Sequence, residues 1–149
     1  KAGAQAIQIN TGAGCHLEAD MIADATKHLD LAHGAILMIE NVGNLVCPSM
    51  FDLGEFKKVV IISSTEGEDK PLKYPHMFQA ADCVIINKID IAGIVEFDQT
   101  LCEKNIRTIN PNATIIALSA KSGAGMAAWY NFITQQAQIF FNGPGLANS

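Results

Sequence analysis

The sequence predicts an α/β protein built on a doubly wound, mostly parallel sheet. Five short runs rich in Ile and Val alternate with stretches of helical periodicity. Several of these runs show no polar alternation, as strands covered on both faces do not. Each run also ends in a polar or glycine-rich group. The first run, Ala6–Asn10, precedes a helix whose stripe is Leu17, Met21, Ala25 and Leu29, with Ile22 beside them. The second run is Ala35–Glu40, and the third is Lys58–Ser63. Pro71 and Pro75 punctuate the segment that follows, leaving room for a short helix around His76–Ala81. The fourth run, Cys83–Asn87, leads to a helix that Asp98 is placed to cap and that carries Leu101 and Cys102. The fifth, Thr114–Leu118, passes through a turn at Ser122–Gly125 into a last helix marked by Met126, Trp129, Ile133 and Phe140. A Gly/Pro/Asn-rich tail is expected over residues 142–149.

At 149 residues the chain suits a single domain with a real hydrophobic core. The net charge of −5 argues against nucleic acid as the main partner and leaves small molecules, metals and proteins. No apolar run is long enough to span a bilayer, and no signal-peptide pattern is visible, so the expected setting is cytoplasmic, away from the membrane. The four cysteines, Cys15, Cys47, Cys83 and Cys102, form no CxxC pair, which suits reduced thiols. Cys83 lies inside an apolar run and Cys102 on a helix, so both read as packing residues. His28, His33 and His76 lack partners at ligand spacing and read as surface or helix-end residues.

Ligands on open α/β sheets bind beyond the carboxyl ends of the strands. The groups there are Thr11–His16, Glu40–Cys47, Ser63–Asp69, Asn87–Asp90 and Ser119–Ser122, which together suggest one functional edge. Asn87-Lys88-Ile89-Asp90 follows the fourth run and Ser119-Ala120-Lys121 the fifth. In order, spacing and placement this pair resembles the NKxD and SAK base-reading motifs of GTPases. Guanine offers two adjacent donors, N1–H and the exocyclic amine, which the Asp90 carboxylate can accept together; adenine offers no such pair. Asn87 would tie the two loops together and reach the other edge of the base. Lys88 and Lys121 would lay their aliphatic stems over the ring faces. The Ala120 N–H would point at the guanine carbonyl oxygen.

A working P-loop GTPase also needs GxxxxGK[ST], yet no Gly-Lys dipeptide occurs in the chain. The run Gln8–His16 imitates the strand–loop–helix context without the lysine. The expectation is a P-loop GTPase-like fold lacking its N-terminal strand and phosphate loop, which would lie upstream of Lys1. A chain of that kind would bind nucleotide poorly and hydrolyse nothing. Glu40-Asn41-Val42-Gly43 stands where many GTPases carry DxxG, with Glu40 in place of the usual aspartate. In that motif the carboxylate holds Mg²⁺ through water, and the glycine N–H, here of Gly43, faces the γ-phosphate.

Three longer words are more specific: TGAGCHLEADM over Thr11–Met21, IENVGNLVCP over Ile39–Pro48 and TEGEDKPLKYP over Thr65–Pro75. With them the chain, from about Ala6 to Trp129, resembles the HypB family of hydrogenase nickel-incorporation GTPases. The related urease accessory GTPases share the architecture and the TEGEDKP-like stretch, but not the adjacent Cys-His or the NLVCP ending. The resemblance implies a nickel or zinc site on Cys15, His16 and Cys47. It further implies binding of GTP or GDP with Mg²⁺, a homodimer, and delivery of nickel to a hydrogenase precursor alongside other maturation proteins. Thiolate and imidazole suit both Zn²⁺ and Ni²⁺: tetrahedral geometry would favour zinc and square-planar geometry nickel. Read from the residues alone, a strand-end cysteine also suits a small buried hydrophobe, and His16 a helix cap. Cys47 follows Glu40 on the loop that answers to the γ-phosphate, so nucleotide state could shift one metal ligand against the others. Two alternatives stand beside this reading, a urease-type nickel-delivery GTPase and a non-catalytic metal-binding dimerisation scaffold.

Overall fold

The computed structural model describes residues 3–143 except Ala13, Cys15, Val42, Asn44 and Leu45, and describes Cys47 and Pro48 by backbone alone. Residues 144–149 of the expected tail lie outside the described residues. The chain falls into two compact units, Lys1–Glu55 and Phe56–Ser149.

The second unit holds a three-stranded parallel sheet in the order β1 (Val59–Ser63), β2 (Cys83–Asn87), β3 (Thr114–Ala117). Val59 pairs with Cys83 and Cys83 with Thr114, so the strands end nearly level. This matches the expected parallel α/β architecture, with the last three runs placed to within one residue. Parallel neighbours need crossovers. The first runs through two short helices, α2 (Lys70–Lys73) and α3 (Pro75–Ala80), each with a proline in its first two residues, where the missing N–H costs nothing. Sequence reasoning expected only the second of them. The next crossover is α4 (Gln99–Ile109), capped as expected: the Asp98 carboxylate accepts the Leu101 N–H at 2.9 Å. The last helix, α5 (Met126–Asn142), starts one residue after Gly125.

Strand alternation sends odd and even residues of β2 to opposite faces. Cys83 and Ile85 join Ile116, Leu118 and Phe132 in a buried cluster against which Val59, Met126 and Trp129 pack, so α5 covers this face. Val84 and Ile86, on the other face, are fully buried, and Phe78, Cys102 and Ile106 of α3 and α4 are fully buried as well. Helices on both faces make the sheet doubly wound. Cover over β1 is incomplete: Ile61, level with Ile85, is 61% exposed.

Asn110, just past α4, ties together the turns that lead into β2 and β3. Its Nδ2 donates to the carbonyls of Phe78 (3.0 Å) and Ala81 (2.8 Å), while its Oδ1 accepts from the N–H groups of Asn112 and Ala113, both at 3.1 Å. Asn110→Ala is expected to cost roughly 2–3 kcal/mol, because four backbone groups lose a partner at once. Urea unfolding checks this; a loss under about 0.5 kcal/mol would mean water replaces the carboxamide.

In the first unit, α1 (Ala19–Thr26) is shorter than its stripe. His28 and Leu29 donate to Ala25 and Thr26 three residues back, which tightens the chain out of the α-helix before Leu29 is reached. The expected strands Ala6–Asn10 and Ala35–Glu40 are not strands: both runs lack regular secondary structure. Their β-branched and apolar content satisfies propensity, but a strand exists only through a ladder. Ile36 and Met38 remain 53% and 63% exposed. Among the described residues no helix is long and apolar enough to cross a membrane.

Candidate functional site: two polar loop clusters

The first cluster lies at the carboxyl ends of the three strands. Asn87 ends β2, and its side-chain Oδ1 accepts two backbone N–H groups, from Lys88 at 2.7 Å and from Ala120 at 3.2 Å. One carboxamide therefore joins the Asn87–Asp90 loop to the Ser119–Lys121 loop. The Ala120 N–H, expected to face a base carbonyl, is engaged by Asn87 in this structure. Lys88 takes the left-handed conformation, φ 62° and ψ 34°, which a non-glycine residue adopts at a cost of about 1 kcal/mol. The turn is held from three sides. Ser64, following β1, donates its Oγ to the Lys88 carbonyl at 2.9 Å and its N–H to the Asn87 carbonyl at 3.0 Å. The Ile89 N–H reaches the Leu118 carbonyl at 3.3 Å. Lys88, Asp90, Ala120 and Lys121 are all exposed, whereas Ser119 is fully buried.

Ser119 shapes the second loop from beneath. Its Oγ accepts the Ser122 N–H at 3.1 Å, its N–H donates to the Ala124 carbonyl at 2.8 Å, and its carbonyl accepts the Gly123 N–H at 2.9 Å. The loop closes at Gly125, φ +73°, pressed against the end of β3: a Cβ there would overlap the Ala117 carbonyl oxygen. Sequence reasoning missed Ser64 and Gly125 as supports. The signal for Gly125 was present in the Ser-Gly-Ala-Gly run; that for Ser64 was not, because its partner lies 24 residues away.

Beside these loops the TEGEDKP stretch forms a braced turn. Lys70 pairs with Glu66 at 2.7 Å and Lys73 with Asp69 at 2.8 Å, each one helical turn apart. The Lys73 ammonium holds the Asp69 carboxyl below its ordinary value, and Asp69 in turn raises that of Lys73. Glu68 ties the turn to α4, its carboxylate accepting the Asp98 N–H at 2.7 Å and its carbonyl the Asn105 amide at 2.8 Å.

The second cluster belongs to the first unit. Thr11 and Gly14 form a tight turn, the Gly14 N–H donating to the Thr11 carbonyl at 2.9 Å. Two residues on, the His16 ring stacks on Phe51 with centroids 3.7 Å apart and planes 6° from parallel. His16 Nε2 lies 3.7 Å from Glu18 Oε1. The Leu17 N–H donates to Asn41 Oδ1 at 3.3 Å, bringing the His16 segment to the Glu40–Gly43 loop, where Glu40 and Gly43 are exposed. Cys47 opens a 3-10 turn, Cys47–Met50, in which Ser49 bonds back to the Val46 carbonyl. Cys15 and the Cys47 side chain lie outside the described residues. Of the three metal ligands that the resemblance implies, the described structure therefore places the His16 side chain alone. Among the described residues no group of three His, Cys, Asp or Glu side chains is disposed to hold a metal ion.

The other two cysteines are buried and free, as packing residues should be. Burial, then the nearby Asp82 carboxylate, pushes the Cys83 thiol up to about 11. Burial, then Glu68 and Glu103, does the same for Cys102, to about 11. Both thiols thus stay protonated at neutral pH, which makes them poor nucleophiles. Maleimide labelling of the native chain is expected to spare both, and mass mapping checks it. Labelling of either one at the unfolded-chain rate would show that its burial is transient.

The family model for the CobW/HypB/UreG nucleotide-binding domain matches residues 1–117. The chain belongs to the HypB branch of that family. It is 56% identical over 134 residues to the hydrogenase maturation factor HypB of Escherichia coli K12, covering 90% of this chain and 46% of that protein. The crystal structure of HypB from Helicobacter pylori in complex with nickel superposes with a TM-score of 0.86 at 39% identity, covering 95% of this chain and 68% of that one. The HypB structure from Archaeoglobus fulgidus gives 0.78 at 43% identity, covering 85% and 67%. The chain thus spans about half the length of the E. coli relative.

Proposed function

We propose that this chain is the guanine-reading and metal-holding part of a GTP-dependent nickel metallochaperone that serves [NiFe]-hydrogenase maturation. The observation that carries the reading is the Asn87 carboxamide, which gathers the Asn87–Asp90 and Ser119–Lys121 loops at one sheet edge and leaves Asp90, Lys88 and Lys121 exposed. Asp90 accepts N1–H and the exocyclic amine of guanine, the two lysine stems cover its faces, and the Ala120 N–H turns from Asn87 to the base carbonyl. Ser119 supports the loop from below. Glu40 would hold Mg²⁺ through water, and the Gly43 N–H would face the γ-phosphate.

Nickel is the cargo. Cys15, His16 and Cys47 supply two thiolates and an imidazole, a donor set that fits Ni²⁺ and also Zn²⁺. The nickel-bound HypB neighbour supports a metal role for the fold. Asn41 links the His16 segment to the Glu40–Gly43 loop, which gives nucleotide state a short route to one side of the metal site. A homodimer and a hydrogenase precursor are the proposed partners.

The test is a titration of the reduced chain with Ni²⁺, read by thiolate-to-nickel charge-transfer absorbance, for wild type and for Cys15→Ala, His16→Ala and Cys47→Ala. One site weakened by every variant is the expected result; variants that bind like wild type would sink the metal role. A second reading is favoured by the absent Gly-Lys dipeptide: by itself this polypeptide is a binding scaffold without catalysis. Its phosphate release from GTP should then match the uncatalysed background, and turnover above that would reveal a phosphate site formed by other residues.

A further inference from the structure

We propose that Ser64 is a positioning residue for base reading: its hydroxyl orients the peptide between Lys88 and Ile89 and so sets the Asp90 carboxylate toward the exocyclic amine of guanine. The inference rests on the base-reading role proposed above. Lys88 stands at φ 62° and ψ 34°, a left-handed conformation that an L residue holds at a cost, so its two flanking peptide planes need fixing. All four polar groups of those planes are bonded. In the first plane the Asn87 carbonyl accepts the Ser64 N–H at 3.0 Å, and the Lys88 N–H donates to Asn87 Oδ1 at 2.7 Å. In the second the Lys88 carbonyl accepts the Ser64 hydroxyl at 2.9 Å, and the Ile89 N–H donates to the Leu118 carbonyl at 3.3 Å. Ser64 thus holds both planes from the end of a different strand, one residue beyond the Ser63–Asn87 pair.

Ser64 is itself well held. It is 3% exposed, which keeps water from standing in for its hydroxyl. The turn that carries it is closed by the Glu66 N–H on the Ser63 carbonyl at 2.9 Å and by the Ser63 and Thr65 hydroxyls, 2.8 Å apart. The Lys88 carbonyl also accepts the Ile91 N–H at 3.1 Å. Loss of the Ser64 hydroxyl therefore leaves that carbonyl bonded; what goes is the tie between the Ile89–Ile91 turn and β1. The effect falls on direction more than on stability. Asp90 is the middle residue of that turn, so its carboxylate moves with it. Two hydrogen bonds to one base edge need accurate placement, because such bonds weaken steeply as they bend.

The experiment uses the full chain with guanosine and inosine as probes, read by chemical-shift titration. Inosine lacks the exocyclic amine but keeps N1–H and the carbonyl, so the ratio of the two affinities reads the amine contact. A variant that is partly unfolded loses both affinities equally, and the ratio is unmoved. Wild type is expected to favour guanosine roughly ten- to a hundredfold, the size of one charge-assisted hydrogen bond. Ser64→Ala should lower that preference about fivefold, as when half the free energy of such a bond is lost. Ser64→Cys puts a weak S–H donor at nearly the same size and should lower it as well, by more than about twofold. It carries the test if the alanine variant does not fold. A preference within about twofold of wild type in the folded variants overturns the inference and leaves Ser64 a packing residue, even where both nucleosides bind more weakly. Equal binding of guanosine and inosine by wild type is a separate result: it removes the Asp90–amine contact itself, and the inference falls with it.

Discussion

Asp90→Asn is expected to lower guanosine affinity about a hundredfold and to leave the chain preferring xanthosine. The carboxylate offers two acceptors to the two donors on the guanine edge, and charge-assisted bonds of this kind contribute roughly 1.5–3 kcal/mol each. An asparagine in its place puts an amide donor against one of those donors. Xanthine carries a carbonyl where guanine carries its amine, so the same amide then finds an acceptor. Asp90 is exposed at the turn that follows Lys88, so the substitution should leave the fold unchanged. Nucleosides are the right probes, because they isolate base reading from phosphate binding. Chemical-shift titration of the wild-type and variant chains with guanosine, adenosine and xanthosine measures the preference. If wild type takes adenosine as well as guanosine, base reading by this loop pair is wrong; if Asp90→Asn keeps the guanosine preference, Asp90 is not the reader.

Gly125→Ala is expected to destabilise the second unit by roughly 2–4 kcal/mol and to lower its melting temperature on the order of 10 °C. Two costs add. The residue sits at φ +73°, where an L side chain is strained, and its Cβ would overlap the Ala117 carbonyl oxygen while standing 3.0 Å from Leu118 Cα. Neither obstacle is the end of a flexible side chain; both belong to the backbone leaving β3. The strand end or the loop must therefore shift, and that loop carries Ser119, Ala120 and Lys121. Gly123 is the control: it has φ +84° but nothing within 4 Å of a Cβ. Gly123→Ala should cost only the conformational strain, about 1 kcal/mol. Calorimetry of the two variants separates strain from collision, and equal losses would mean that the collision is relieved at no cost.

The two loops proposed to read the base could be marked in the sequence because their residues are local. Asn87, Lys88 and Asp90 are neighbours, as are Ser119, Ala120 and Lys121, and each trio follows an apolar run whose length marks a strand. Capping of α4 by Asp98 was legible for the same reason, as donor and acceptor lie three residues apart. The proposed metal ligands were of another kind. Composition gave two thiols and an imidazole at loop positions, and only resemblance to a family joined them into a site.

By itself the sequence determined the parallel α/β class, the last three strands to within a residue, and the helices α3, α4 and α5. Apolar periodicity and capping act over a few residues, so they survive without a partner. Tertiary structure alone decided that Ala6–Asn10 and Ala35–Glu40 form no ladder, that Ile61 stays largely uncovered, that Ser64 locks the Lys88 turn and that Phe51 lies against His16. Each of these depends on a contact between segments distant in the chain. Propensity makes a residue able to form such a contact, but the partner is chosen only when the folded backbone brings it within hydrogen-bonding or stacking distance.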